Sequence, residues 1–454
     1  MGGATLLLPF RSKGAAMSRT TLLSLLLLPA ALASAAESPL HSAVARDYDS
    51  KLAPLFDYLH RNPELSFMEA KTAARMAAEL RDAGFEVTEG VGKTGVVAIL
   101  KNGAGPTVMM RADMDGLPVE EKSGLPNASR VIQKDMSGRE VPVAHACGHD
   151  VHMTTLVGTA HQMQALKGQW KGTLMLVAQP AEERVGGARD MMADQIWKRF
   201  GKPDYALAMH VFSGIEAGKI NLDPAPYSGV DTLEINIPGI GTHGASPHTG
   251  KDPVVLGAQI VIALQTIVSR ELGPREPGLI TVGSFHAGTK PNIISDLAKL
   301  ELTVRSESPA TRELLLAAIK RVAENTGRAY GMPENLLPTV KMTDDPSLPV
   351  INDTALSARM RKLWTDKLGA GIFASDFKRT SMVAEDFGNF TREPYVPSVY
   401  YTIGGTPAPL LAAAAHGGAA VPGNHSPMFK VVPDLSVKTG VETGVIALLD
   451  LMKK

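Results

Sequence analysis

Apolar residues recur at intervals of three and four between positions 44 and 60, where Leu52, Leu55, Phe56 and Leu59 share one face and predict an amphipathic helix. A second helix is predicted over 70–83, with Ala74, Met76 and Leu80 on one side and Gly84 as its stop. The pattern then changes to short apolar runs at 96–100, 108–112, 172–178 and 205–210, which read as strands, with a long helix expected over 154–166. Polar residues suited to catalysis keep falling at the ends of these runs: Asp113, then Glu182 and Glu183, then His210. Open α/β sheets collect ligands beyond the carboxyl ends of their strands, so this recurrence predicts one shared cleft. Positions 232–330 offer strand, helix, two strands and helix in order, and a strand near 337–342 would complete a split βαβ unit.

Composition narrows the class. With 44% hydrophobic residues the chain is globular, and alanine-rich helices beside short valine and isoleucine strands indicate α/β. Residues 1–36 differ from the rest: Arg11, Lys13 and Arg19 precede an apolar run from Leu22 to Leu32, then Ala33-Ser34-Ala35, and no acid occurs before Glu37. This is the layout of a secretory signal, too short in its apolar part for the roughly 20 residues of a stable membrane span. Met17 opens a more ordinary signal by itself. The expected location is periplasmic or secreted. The whole chain carries 46 basic and 46 acidic residues; without the three in the leader the balance is 43 to 46, a net charge of −3. Nothing in that balance suggests nucleic acid or an anionic membrane as partner. The remaining chain of about 418 residues exceeds one ordinary core, so two domains are expected.

The only cysteine stands in His145-Ala146-Cys147-Gly148-His149-Asp150-Val151-His152. Soft sulfur with imidazole nitrogens is what zinc and its neighbours take as ligands. A lone thiol is ordinarily a small buried hydrophobe, but that reading explains neither the neighbouring histidines nor Gly148, which frees the backbone to turn tightly. Gln179-Pro180-Ala181-Glu182-Glu183 adds adjacent carboxylates after a strand. In a turning segment they point apart, so one can ligate a cation while the other accepts a proton from water. His210, amid apolar neighbours, and His425, in Asn424-His425-Ser426-Pro427, are each weak signals alone; a closed site needs more ligands than the central tract supplies. Glu385 and Asp386 form a further acid pair in an expected loop.

These stretches together resemble the M20 metallopeptidases, and within them the amidohydrolase branch of hippurate hydrolases, N-acyl-amino-acid amidohydrolases and auxin-conjugate hydrolases. The similarity also takes in His60-Arg61-Asn62-Pro63-Glu64-Leu65-Ser66, Arg111-Ala112-Asp113-Met114-Asp115-Gly116-Leu117-Pro118 and His243-Gly244-Ala245-Ser246-Pro247-His248, in family order from about residue 48 to 450. The resemblance implies an aminopeptidase-like mixed-sheet catalytic domain, residues 40–228 and 344–454, interrupted by a ferredoxin-like α+β lid and dimerisation domain at 229–343. It implies two divalent metal ions per subunit (Zn, Mn, Co or Ni), held by Cys147, His149, Glu183, His210 and His425. Glu182 becomes the general base, His243 the oxyanion-stabilising group reaching into the partner subunit, and Asn292 a substrate-binding residue. Arg111 replaces a histidine found two residues before the aspartate in many relatives, and Thr242 replaces a glycine. The expected reaction is metal-dependent hydrolysis of the amide bond of N-acyl amino acids by a homodimer without a stable membrane anchor. Two alternatives stay open: an exported dipeptidase or carboxypeptidase on the same scaffold, and a catalytically silent metal-binding module.

Overall fold

The computed structural model describes residues 38–375, 377 and 379–454; the leader expected at 1–36 lies outside them. A larger sheet takes β1 (Glu86–Val91), β2 (Gly95–Asn102), β3 (Thr107–Asp113), β4 (Gly172–Gln179), β5 (Tyr205–Glu216) and β6 (Ile220–Asn221). A second sheet follows as β7 (Gly229–Pro238), β8 (Gly278–Ala287), β9 (Leu297–Ser306) and β10 (Thr339–Met342), after which β11 (Ser398–Thr406) returns to the first. The seven-stranded sheet has the order β1-β2-β4-β3-β5-β11-β6. Its centre, β4 to β11, is parallel, while β1, β2 and β6 join antiparallel.

Side chains that alternate along each strand build two cores. Val108, Met110 and Ala112 of β3 face one side with Leu174, Leu176 and Ala178 of β4, under the helices His149–Ala165 and Pro433–Leu451. Met109, Met175 and Val177 face the other, against Ala188, Met191 and Phe390. Strands covered on both faces become continuous apolar runs, which is what made them legible. The central helix begins at His149 rather than near Thr154, so His149 and His152 sit in its first turn. It is buried on nearly every side and lacks a polar stripe. At Gly158 an added Cβ would lie 2.6 Å from Val441 and 2.7 Å from Leu52, so only glycine lets the neighbouring helices close.

The smaller sheet is four-stranded and antiparallel, ordered β8-β9-β7-β10, with helices Pro253–Thr266 and Pro309–Ala329 on one face. In β9, Leu300, Leu302 and Val304 turn to those helices; Glu301, Thr303 and Arg305 alternate with them. The expected mixed α/β catalytic sheet with a separate small antiparallel sheet is thus what the chain forms. One detail differs. His210 does not end its strand, because β5 continues to Glu216 by pairing with β11. Pairing of β5 with β3 stops at Ala208, however, so His210 still stands clear of the carboxyl end of β3.

Candidate metal centre

Three chain reversals aim the site residues. Gly148 has φ +83°, and a Cβ there would lie 2.3 Å from Val211, so the tract can turn into the central helix only with glycine. Ala181 and Val185, at φ +50° and +53°, bracket the short turn Glu182–Arg184 in a conformation that side chains with a Cβ resist. The turn is held from outside. Asp115 accepts the backbone N–H of Glu182 and of Glu183, each at 3.0 Å, and the Ser66 hydroxyl at 2.6 Å. Glu69 accepts the Ala181 N–H at 2.8 Å. Strained backbone kept in place by buried carboxylates is characteristic of functional sites.

The five expected ligands converge. Cys147, His149 and His210 offer atoms within 4.8 Å of one another, as do Cys147, Glu183 and His425. Cys147 Sγ is 3.4 Å from His210 Nε2, and His425 Nε2 is 3.3 Å from Glu183 Oε2. Each core histidine is fixed by its other nitrogen: His149 Nδ1 donates to the Asp115 carbonyl at 2.7 Å, His210 Nδ1 to the Val211 carbonyl at 2.7 Å. That leaves both Nε2 atoms facing the cluster, the arrangement second-layer bonds give metal-binding imidazoles. Glu182 lies beside them, its Oε2 3.8 Å from His149 Nε2.

Other groups near the cluster are already committed. His152 donates from Nδ1 to Asp113 at 2.5 Å and accepts the Val211 N–H on Nε2 at 2.8 Å, so neither nitrogen is left for a cation. Glu385 and Asp386, expected as a loop pair, are fully buried and answer Arg111: its Nη2 donates to Glu385 at 2.8 Å, its Nη1 to Asp113 at 2.7 Å. Asp386 also accepts from Gln179 at 2.6 Å. His243 and Asn292, beside the smaller sheet in the chain, adjoin each other, Gly244 N–H donating to the Asn292 carbonyl at 2.8 Å. Both are exposed, and no metal-capable group among the described residues includes them. Thr242 needs no positive φ, since it pairs with Ile294 in a short antiparallel ladder. Its β-branch therefore suits the place.

The chemistry of the donor set fits divalent metal. His149 Nε2 and Glu183 Oε1 are buried without any hydrogen-bond partner, which is costly unless a cation takes them. Burial, then Glu183 and Glu182, push the Cys147 thiol well up; burial, then Glu385 and Glu183, do the same to Glu182. Burial holds His210 well below the ordinary imidazole value, in the neutral form that ligates. Of the buried acids Asp113, Asp115, Glu182, Glu385 and Asp386, Arg111 meets Asp113, Glu385 and Asp386, and the His149 ring lies against Asp113, Asp115 and Glu182. Overlapping Cys, His and Glu groups of this kind suit a dinuclear site, with two divalent ions per subunit.

Sequence reasoning gave no role to His60, which the fold places behind the cluster. Its ring donates to Asp150 at 2.6 Å and lies 3.2 Å from Glu121. Burial alone would lower its pKa, but the two carboxylates outweigh that and raise it to about 10 from 6.5. A group raised in the folded state contributes stability that is full below the unfolded value and is lost as pH climbs through the folded one. Urea unfolding midpoints of His60→Gln relative to wild type should therefore show a gap that narrows between pH 6.5 and 10. A gap that stays constant over that window would contradict the ion-pair assignment.

The chain matches the profile of Peptidase family M20/M25/M40 over residues 109–419. It is 33% identical over 351 residues to a hippurate hydrolase of Campylobacter jejuni, covering 76% of this chain and 86% of that protein. It is 33% identical over 353 residues to thermostable carboxypeptidase 2 of Saccharolobus solfataricus, covering 76% and 84%. Among solved structures it is similar to the Bacillus subtilis YXEP protein, described as a dinuclear metal-binding peptidase of the M20 family. That match has a TM-score of 0.71 and 26% identity, and covers 90% of this chain and 99% of that one. Sequence, fold and a buried donor set left incomplete without cations agree: the chain belongs to peptidase family M20/M25/M40 and is a metal-dependent hydrolase.

Proposed function

We propose that this hydrolase cleaves the amide bond of N-acyl amino acids, as the amidohydrolase branch of its family does. Cys147, His149, Glu183, His210 and His425 hold the two ions, which when bound polarise the amide carbonyl and acidify water. The observation that carries the reading is Glu182: buried beside the His149 ring, aimed by a strained turn, and raised in pKa by burial, Glu385 and Glu183. A carboxylate so placed accepts a proton from water and returns it to the departing amine. Arg184 and Val185, which follow Glu183 in the chain, line a cleft of about 390 Å³ together with Thr232 of β7 and Thr303 and Arg305 of β9. Arg305 is half-buried, its pKa depressed by burial, and among the described residues its side chain donates to the Met382 carbonyl in a long 3.5 Å contact. It is a cation placed to receive the carboxylate of an amino-acid product. The likeness to a hippurate hydrolase supports an acyl amino acid over a free dipeptide; the likeness to a carboxypeptidase keeps the peptide alternative in the test.

The segment 229–343 is read as the lid and dimerisation domain. Leu256, Ile260 and Leu264 of its first helix pack on the sheet, yet Val254, Val255 and Ile262 on the same helix are exposed, and the edge strand β8 carries exposed Phe285. An apolar face beside an open edge strand suits a second copy of the chain. His243 then reaches the partner's site to stabilise the oxyanion, with Asn292 beside it on the substrate. The leader supports export to the periplasm or beyond.

Chelation should abolish hydrolysis of N-benzoylglycine, and Zn²⁺, Mn²⁺, Co²⁺ or Ni²⁺ should restore it. Arg305→Ala should raise KM about 10–100-fold, the worth of a lost charge-assisted hydrogen bond, with kcat little changed. The variant should not discriminate against the corresponding carboxamide. Faster hydrolysis of dipeptides than of any N-acyl amino acid would favour the peptidase reading, and equal KM in both proteins would remove Arg305 from the site.

A further inference from the structure

Asn424 immediately precedes His425, and its side-chain amide reaches two separate stretches of backbone. Nδ2 donates to the Cys147 carbonyl at 3.2 Å and to the Val211 carbonyl at 3.1 Å; Oδ1 accepts the Ser213 N–H at 3.3 Å. Two carbonyls on one end and an N–H on the other admit one orientation of the amide. The Val211 carbonyl is also the acceptor that orients the His210 ring, at 2.7 Å from Nδ1. Nδ2 stands 3.8 Å from Cys147 Sγ as well. One side chain therefore touches the Cys147 segment, the strand that carries His210 and, through its own backbone, the loop that carries His425.

That loop has reason to need a fastening. His425 itself is at φ +70°, a strained value for a residue with a side chain. It follows Ala419-Ala420-Val421-Pro422-Gly423, small and apolar residues that bring no side-chain hydrogen bonds. Its other tether to the metal tract is a single bond from His425 N–H to the Ala146 carbonyl at 2.8 Å. His149 and His210, by contrast, lie on a buried helix and a central strand that hold them without help.

We propose that Asn424 is a positioning residue that fastens the His425 loop to the Cys147 and His210 segments, and so governs filling of the metal position that His425 completes. The Cys147–His149–His210 group takes no ligand from the loop, so the two positions should respond differently when the amide is removed. Partners that orient metal ligands typically account for about 10–100-fold in affinity.

The test reads metal rather than turnover. Co²⁺-loaded wild type and Asn424→Ala are equilibrated against graded chelator, and bound cobalt is measured with the sulfur-to-cobalt absorption band. The variant should surrender one ion at chelator levels roughly 10–100-fold below those that strip wild type. The sulfur band should persist, because Cys147 still serves the other position. If both ions leave together, or both stay at wild-type chelator levels, Asn424 has no selective role and the proposal fails. Should Asn424→Ala not fold, Asn424→Ser is read by the same criteria. The outcome does not depend on which amide the enzyme cleaves.

Discussion

Glu182→Gln should leave two metal ions bound and lower kcat by about 10²–10⁴-fold, the range of a lost general base. The substitution preserves shape, and the turn that aims residue 182 is set by Asp115 and Glu69 rather than by the side chain itself. Stability should move the other way. Glu182 is buried near Glu183 and Glu385 with its pKa pushed well up, so an uncharged amide relieves repulsion, and the variant should unfold at the same or higher denaturant concentration. Activity within tenfold of wild type would remove Glu182 from the base role. The same variant tests the composite site. Refolded in equal amounts with His243→Ala, it should regain about a quarter of wild-type activity, since half the dimers are mixed and each contains one intact site if His243 serves its partner. No recovery despite verified subunit exchange would place His243 in its own chain's site or in none.

The features that reached the page from sequence were those with a local cause. Doubly covered β3 and β4 appeared as unbroken apolar runs. The Cys147 tract was legible because sulfur, imidazoles and a glycine seldom gather for packing alone. The central helix was placed too late because its first turn is polar and its buried circumference leaves no stripe to detect. β1, with its mostly exposed and polar residues, sent no strand signal. Most opaque were partnerships across long separations. Arg111 and Glu385 stand 274 positions apart, so the acid pair at 385–386 read as a loop pair, with no sign that it is a buried counter-charge. Asn424 stands directly before His425 in the sequence, but nothing local shows that its amide will bridge to Cys147, Val211 and Ser213. That Arg305 lines a cleft with Arg184 and Val185 follows only from the fold.

Arg111→Leu should destabilise the protein by about 3–5 kcal/mol, the loss expected when one partner of a buried ion network is removed. The guanidinium is wholly buried. Nη2 and Nη1 reach both oxygens of Glu385, at 2.8 and 3.2 Å, while Nη1 also donates to Asp113 and Nε to Gln179, at 2.7 and 2.8 Å. Burial opposes its charge, yet Glu385 and Asp113 outweigh burial and hold its pKa well above normal. Leucine fills the space and strands those carboxylates. Lysine keeps the charge but cannot reproduce the planar fork, so Arg111→Lys should recover only part of the loss. The pH dependence identifies the cause. Carboxylates without their cation acquire raised folded-state pKa values, so the penalty is full above those values and shrinks as acid protonates them. Urea unfolding of wild type and Arg111→Leu, compared at pH 7.5 and near pH 5, should show a smaller gap in acid. A gap below about 1 kcal/mol at neutral pH, or one that widens in acid, would mean that Arg111 is not the counter-charge on which Asp113 and Glu385 depend.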